Sequence, residues 1–241
     1  KALGWHEGEP FVCLLVRDSA YLAEAHSSGT ERSPARDHWD YHNYRDSLIS
    51  TYEPAVNWLA RNGVWVFRMG KVMGCRVRTN HERVVDYAFR EDRNDLLDLW
   101  LLARATACIS SGTGPDVLAA PYGIPILFLN FLPLARLWSF ADCCTIPKTL
   151  RWRETASELS LIEYLNADFM TANEYKESGI DIEDLSESEI LLYVKEFWAL
   201  IQQRSMGISQ VSLGARVEPL FEDVSQPCEH HGYFHENSRL E

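Results

Sequence analysis

Apolar residues in this chain fall into short unbroken runs, each cut off by polar or glycine-bearing positions and separated by stretches of helical spacing. Residues 11–16 (FVCLLV) form the first run and stop at Arg17-Asp18-Ser19. Continuous apolar character over so few residues predicts a strand buried on both faces. Residues 51–62 predict a helix: Thr51 suits the N-cap, Pro54 the first turn and Gly63 the end, with Ala55, Val56, Leu59 and Ala60 at helical spacing. Residues 64–69 (VWVFRM) predict a second strand closed by Gly70, and residues 84–88 (VVDYA) a shorter third. Asn94 caps an apolar helix over 95–105, residues 107–110 (ACIS) make a fourth strand, and residues 116–122 a short helix ending at Gly123. Residues 126–130 are a fifth strand. Strands of this kind alternating with helices call for a mostly parallel sheet wrapped on both faces, an α/β domain of Rossmann-like, three-layer type.

The pattern loosens after Pro133, where residues 160–165 and 186–203 still read as helices, the second with an acidic first turn. Residues 27–46 read as a long polar loop; loops of this length in a compact domain are usually functional or disordered, and the aromatic and polar groups of its end, Tyr41-His42-Asn43-Tyr44-Arg45-Asp46, favour function. The expected organisation is a leader over 1–10, one domain over 11–205 and an irregular tail over 206–241. The chain starts with Lys1 and reaches a strand almost at once, so an upstream region is expected in the full protein.

A formal net charge of −12 argues against nucleic acid as the main partner. The charge is uneven: 14 Lys/Arg face 16 Asp/Glu up to residue 120, and 9 face 19 beyond it. Between Arg61 and Arg90 the sign reverses, with seven basic residues against Glu82 and Asp86 alone. That stretch is where a small anionic ligand would find a partner in an acidic protein. Six cysteines (13, 75, 108, 143, 144 and 228) show no framework spacing and no CxxC pair, so reduced thiols and no structural zinc are expected. The longest apolar stretch, 124–135, is broken by Pro125 and Pro133 and is too short to span a bilayer. The expected setting is cytoplasmic, with no transmembrane segment.

The strongest chemical signal is Ile109-Ser110-Ser111-Gly112-Thr113-Gly114-Pro115-Asp116, which follows a predicted strand and opens a predicted helix. Glycines let backbone approach phosphate oxygens, Ser and Thr add hydroxyl donors, and a helix N-terminus favours an anion. The alternative is a tight strand-to-helix turn. The motif is neither the P-loop nor GxGxxG, so the ATPase and dehydrogenase fingerprints are absent. Arg17 follows the first strand on the same sheet edge, where its guanidinium suits a diphosphate; the competing role is an ion pair with Asp18 or another surface acid. Arg68 closes the second strand on that edge, followed by Lys71, Arg76 and Arg78. Asp86 and Tyr87 in the third strand suit a nucleobase by hydrogen bond and stacking, or equally the framework. His38 and His42 would suit a metal only on a helix, and Cys228, His230, His231 and His235 only opportunistically, so no metal and no cofactor are expected.

The segments Tyr41–Asp46, Trp65-Val66-Phe67-Arg68-Met69-Gly70, Val85-Asp86-Tyr87-Ala88 and Ile109–Asp116 resemble a bacterial family assigned as glycosyltransferases and associated with surface-polysaccharide gene clusters. The resemblance is specific over residues 11–130 and looser beyond. The order of elements is also similar to the C-terminal, nucleotide-sugar-binding half of GT-B glycosyltransferases. Arg17, Ser110 and Ser111 look like the phosphate-gripping positions of GT-B fucosyltransferases. Those enzymes often carry a His two residues before the Arg, where this chain has Leu15.

The resemblance implies transfer of a sugar from a nucleotide-diphosphate donor to a saccharide or lipid-linked acceptor, without metal. Arg17 and the backbone N–H groups of Gly112, Thr113 and Gly114 would stabilise the departing diphosphate. Arg68 would assist, and Asn43 and Arg45 would reach the donor from the long loop. The chain has room for one such domain, so the general base is expected on an N-terminal domain or a partner chain. A nucleotide-sugar epimerase or hydrolase, and a non-catalytic nucleotide-binding or interaction module, are the alternatives.

Overall fold

The computed structural model describes residues 3–18, 20, 43–137, 142–207, 215–216 and 233–234. Six strands lie side by side and all parallel: β1 (Phe11–Leu15), β2 (Trp65–Arg68), β3 (Val84–Val85), β4 (Ala107–Ser110), β5 (Ile126–Phe131) and β6 (Cys143–Pro147). The spatial order is β3-β2-β1-β4-β5-β6, so the direction of winding reverses between β1 and β4. This is the α/β Rossmann-like, three-layer architecture that the alternation of runs implies.

The pleat explains why the runs are apolar throughout. Phe11, Cys13, Leu15, Phe67, Cys108, Ile126 and Phe128 face one side. There they meet Leu101 and Leu102 of α2 (Asp95–Arg104), Tyr164 of α3 (Leu161–Asn166) and Tyr175 of α4 (Ala172–Glu177). Val12, Leu14, Val66, Ile109, Leu127 and Leu129 face the other side. There they pack on Tyr52, Val56 and Leu59 of α1 (Ile49–Arg61) and on Ile190, Val194 and Phe197 of α5 (Glu187–Ser205). Neither face of the central strands meets water, so no polar alternation is tolerated.

Local expectations need several corrections. Helix α1 starts at Ile49, and Thr51 lies inside it with its hydroxyl donating to the Leu48 carbonyl at 2.8 Å. Buried Ile49 and Tyr52 draw the first turn onto the sheet, and this packing overrides the cap signal at Thr51. The third strand keeps only Val84 and Val85, because Tyr87–Phe89 wind into a 3₁₀ turn. The helix expected over 116–122 is two 3₁₀ turns, Pro115–Leu118 and Ala120–Tyr122, the second closed by Gly123 in the left-handed region at φ 67°.

Strand β6 escaped the pattern reading, although its five residues are all buried. Strands β7 (Thr149–Trp152) and β8 (Ile180–Glu183) form a separate antiparallel pair beside the main sheet. The stretch expected as a tail contributes β9 (Ala215–Arg216) and β10 (Tyr233–Phe234), with β10 parallel to β6 and β9 antiparallel to β10. Before β1, Trp5 packs edge-on against Phe11 and Trp100, so part of the expected leader is built into the domain. Cys13, Cys108, Cys143 and Cys144 are buried free thiols and Cys75 is an exposed one. Among the described residues no helix is long and apolar enough to cross a membrane.

Packing of α5 on α1 should carry much of the stability of its face. Phe197→Ala is expected to cost about 3–5 kcal/mol in urea unfolding. Leu96→Ala, on a side chain that is 77% exposed, is expected to stay within about 0.5 kcal/mol of the wild type. Equal losses at the two sites would contradict this arrangement of the core.

Candidate functional site

In an open parallel sheet the loops leaving two neighbouring strands diverge where the winding reverses, which leaves a crevice at the carboxyl edge. Here the crevice is a cavity of about 350 Å³. The end of β1 contributes Leu15, Val16, Arg17 and Asp18; the β2 loop contributes Met69, Gly70, Lys71 and Met73; the β4 loop contributes Thr113 and Pro115. Its wall is mostly apolar on the β1 and β2 sides, with Arg17, Asp18, Lys71 and Thr113 as the polar residues. Gly70 sits at φ 152°, a backbone conformation that L side chains rarely adopt, and a Cβ there would have to displace the flexible Met73 side chain.

The backbone of Arg17 is held from two directions. Its N–H donates to the Ser111 hydroxyl oxygen at 2.9 Å, and its carbonyl accepts from the Ser47 N–H at 2.9 Å. Ser111 in turn donates its N–H to the Leu15 carbonyl at 3.0 Å. The side chain is 18% exposed, and its Nε bonds Asp46 Oδ1 at 3.2 Å. The two terminal nitrogens make no hydrogen bond among the described residues. The ion pair weighed against the ligand role therefore exists, with Asp46 as partner, and it engages only the rear of the guanidinium. Burial pushes the Asp46 carboxyl above its usual range, against the pull of Arg17 and then Lys148.

The Ser110–Gly114 segment is arranged differently from the expectation. Its donors already hold an anion, the carboxylate of Asp116. That carboxylate is fully buried and accepts from the Ser110 hydroxyl, from the Thr113 N–H at 2.8 Å and from the Gly114 N–H at 3.1 Å. The Gly112 N–H is bonded to the Ser110 hydroxyl oxygen at 3.0 Å. The N–H groups of Gly112, Thr113 and Gly114 are therefore not open to a phosphate, and the following 3₁₀ turn offers no long helix dipole. The physical reason is proximity: the Asp116 side chain folds back onto N–H groups two and three residues before it, and a carboxylate buried against them leaves no room for a phosphate. Of this segment, only the Thr113 side chain lines the cavity.

Arg68, Asp86 and Tyr87 are framework. Arg68 is fully buried and donates to the Cys75 carbonyl at 3.1 Å and to Asp86 at 3.4 Å, with Asp18 at 3.9 Å. Asp86 also accepts the Val77 N–H at 3.0 Å. Arg68 thus clamps the loops after β1, β2 and β3 together and has no surface to offer a diphosphate. Tyr87 is fully buried too, and its hydroxyl accepts from the Asn94 N–H at 3.2 Å, so no ring face is open to a base.

Asn43, Tyr44 and Arg45 form a 3₁₀ turn just ahead of α1. Asn43 is exposed and does not line the cavity. Arg45 reaches the β4 loop, donating through Nη2 to the Gly112 carbonyl at 2.8 Å. Burial, and then the neighbouring Arg17 charge, pull the Arg45 pKa below its usual value. Lys148, only 3% exposed, pairs with Asp184 at 2.6 Å and donates to the Asp46 carbonyl at 2.6 Å. Pattern reading missed Lys148, Asp46 and the role of Asp116. The acid at 116 looks like a helix first turn, and Lys148 sits in a stretch with no periodic signal. Residues 27–42, with Tyr41, His38 and His42, and the group Cys228, His230, His231 and His235 lie outside the described residues. Comparison of the chain with protein-family models, with curated proteins and with solved structures gives no match.

Asp116→Ala would orphan two backbone donors and a hydroxyl at about 1–3 kcal/mol each. The variant should therefore lose at least about 3 kcal/mol in urea unfolding, and added formate should restore part of its melting temperature while leaving the wild type unmoved. A variant that melts with the wild type would show that the carboxylate does not organise the turn.

Proposed function

We propose that this chain is the donor-binding half of a GT-B-type glycosyltransferase. It would transfer a sugar from a nucleotide-diphosphate donor to a saccharide or lipid-linked acceptor in the synthesis of a surface glycan. The observation that carries the reading is the cavity at the β1/β4 reversal with Arg17 on its wall, where its terminal nitrogens make no hydrogen bond among the described residues. The resemblance of the Tyr41–Asp46 and Ile109–Asp116 segments supplies the reaction class.

In that reaction an acceptor hydroxyl oxygen bonds the anomeric carbon, and the bond from that carbon to the diphosphate oxygen breaks. The nucleoside diphosphate leaves with the electron pair, and the hydroxyl proton passes to a base that this domain does not supply. Negative charge grows on the leaving oxygens, so a fixed cation in a poorly hydrated crevice lowers the barrier. Arg17 would take this role, with Lys71 of the β2 loop lining the same cavity. The apolar wall of Leu15, Met69 and Met73 would take the less polar part of the nucleotide. With no Asp-x-Asp motif in the chain, the cations would do the work otherwise given to a metal.

Calorimetric titration with nucleoside diphosphates in the presence of a chelator tests this. Wild type should bind, and Arg17→Ala should bind about ten- to a hundredfold more weakly, the loss of one charge-assisted contact. Arg17→Lys should recover only part of the affinity, since an ammonium cannot make the paired guanidinium contact. Equal affinity in all three proteins, or binding only with manganese or magnesium, would overturn the proposal.

A further inference from the structure

Helix α2 carries two apolar stripes where a surface helix carries one. Leu97, Leu101 and Leu102 pack into the core beneath it. Leu96, Leu99, Trp100 and Ala103 repeat at i, i+3, i+4 and i+7 on the opposite side. That second stripe faces outward: Leu96 is 77% and Trp100 40% exposed. Trp100 is nevertheless firmly placed, stacked near-parallel to Phe11 and edge-on to Trp5. The 3₁₀ turn Pro115–Leu118 packs beside the helix and adds the exposed side chains of Val117 and Leu118. Together these leave about 400 Å² of apolar surface open, a patch of the size that usually serves function on a monomer.

The two ends of the stripe indicate what covers it. Asp95 stands at its first end and Arg104 at its last. Both are exposed, and neither makes an ion pair or side-chain hydrogen bond among the described residues. With one end negative and the other positive, the stripe is complementary to itself when reversed. A two-fold axis across the helix lays α2 antiparallel on its copy, apolar stripe against apolar stripe. It also sets Asp95 of each copy level with Arg104 of the other, and it opposes the two helix dipoles. The area agrees. Interfaces are about 60% apolar, so about 400 Å² of apolar surface per copy implies about 1,300 Å² buried in total, within the range of specific dimers.

We propose that α2 is the contact of a two-fold dimer of this chain, with Leu96 and Trp100 at its centre and Asp95–Arg104 pairs at its two ends. The dimer stands apart from the nucleotide reading. Each copy keeps its own core, so the urea comparison of Leu96→Ala given above applies to dilute, monomeric protein.

Sedimentation velocity over a concentration series tests this, with circular dichroism to confirm folding. Wild type should pass from monomer to dimer in about the micromolar range. Leu96→Glu should weaken the dimer at least about tenfold, because two charges would enter an apolar contact. Asp95→Lys and Arg104→Glu should each weaken it severalfold by setting like charges opposite one another, and the double variant should recover most of the loss. A wild type that stays monomeric at every concentration overturns the proposal. Binding of that monomer to phosphatidylcholine vesicles, lost in Leu96→Glu, would give the stripe to a lipid surface instead and overturn it equally. A dimer that Leu96→Glu leaves unchanged, or a double variant no better than the single ones, also overturns it. Should Leu96→Glu fail to fold, Leu118→Glu on the adjoining turn takes its place with the same expected loss.

Discussion

The site depends on how the central strand is stitched to its neighbour across the winding reversal. β1 is buried on both faces, so its end cannot move without breaking the core. Beyond the strand, the bonds from Ser111 N–H to the Leu15 carbonyl and from Arg17 N–H to the Ser111 hydroxyl carry the β1–β4 ladder past its last regular pair. Ser47 then anchors to the Arg17 carbonyl, which brings the turn holding Arg45 and Asp46 to the same edge. One arginine at the mouth of the cavity is thereby fixed by two separate pieces of chain. Preorganisation of this kind lets a cation act without paying for its own ordering when a ligand arrives.

The charges around that edge fall into two sets. Arg68 pairs with Asp18 and Asp86, and Ser110 closes on Asp116 in the β4 loop. Arg68, Ser110 and Asp116 are fully buried and hold loops together, whereas Asp18 also reaches the cavity wall. Arg17 is different: it lines the cavity, its Nε is bonded to Asp46, and among the described residues its two terminal nitrogens make no hydrogen bond. The division matters because every group named in both sets is an Arg, Ser or Asp near a strand end. Residue type and position in the motif are alike for the two, while burial and access to the cavity separate them.

Strand positions, both faces of the core and the parallel sheet were legible in the chain, because a strand buried on both sides must be apolar at every position. FVCLLV follows that rule throughout, and ACIS and the run from Ile126 depart from it only at Ser110 and Asn130, buried polar residues near the carboxyl ends of their strands. The reversal between β1 and β4 locates a ligand crevice once the order of strands is known, and Arg17 was recognisable as the first polar residue beyond the central strand. β6 was not recognisable, since Cys143-Cys144-Thr145-Ile146 follows a stretch with no periodic lead-in.

What the sequence determined by itself is therefore the set of buried strands and the polar residues at their ends, through the one-dimensional rule that water-free positions are apolar. Tertiary structure alone decided which of those polar residues face the cavity. Asp116 fills the donors of the glycine turn because it lies three residues from Thr113 and is shut away from water. Arg68 donates to Asp86 and the Cys75 carbonyl and is shut away from the cavity by burial. Arg45 turns its Nη2 to the Gly112 carbonyl, and Arg17 remains on the cavity wall. Those outcomes turn on distances across the fold, and a hydrogen-bond partner many residues away leaves no mark on local sequence.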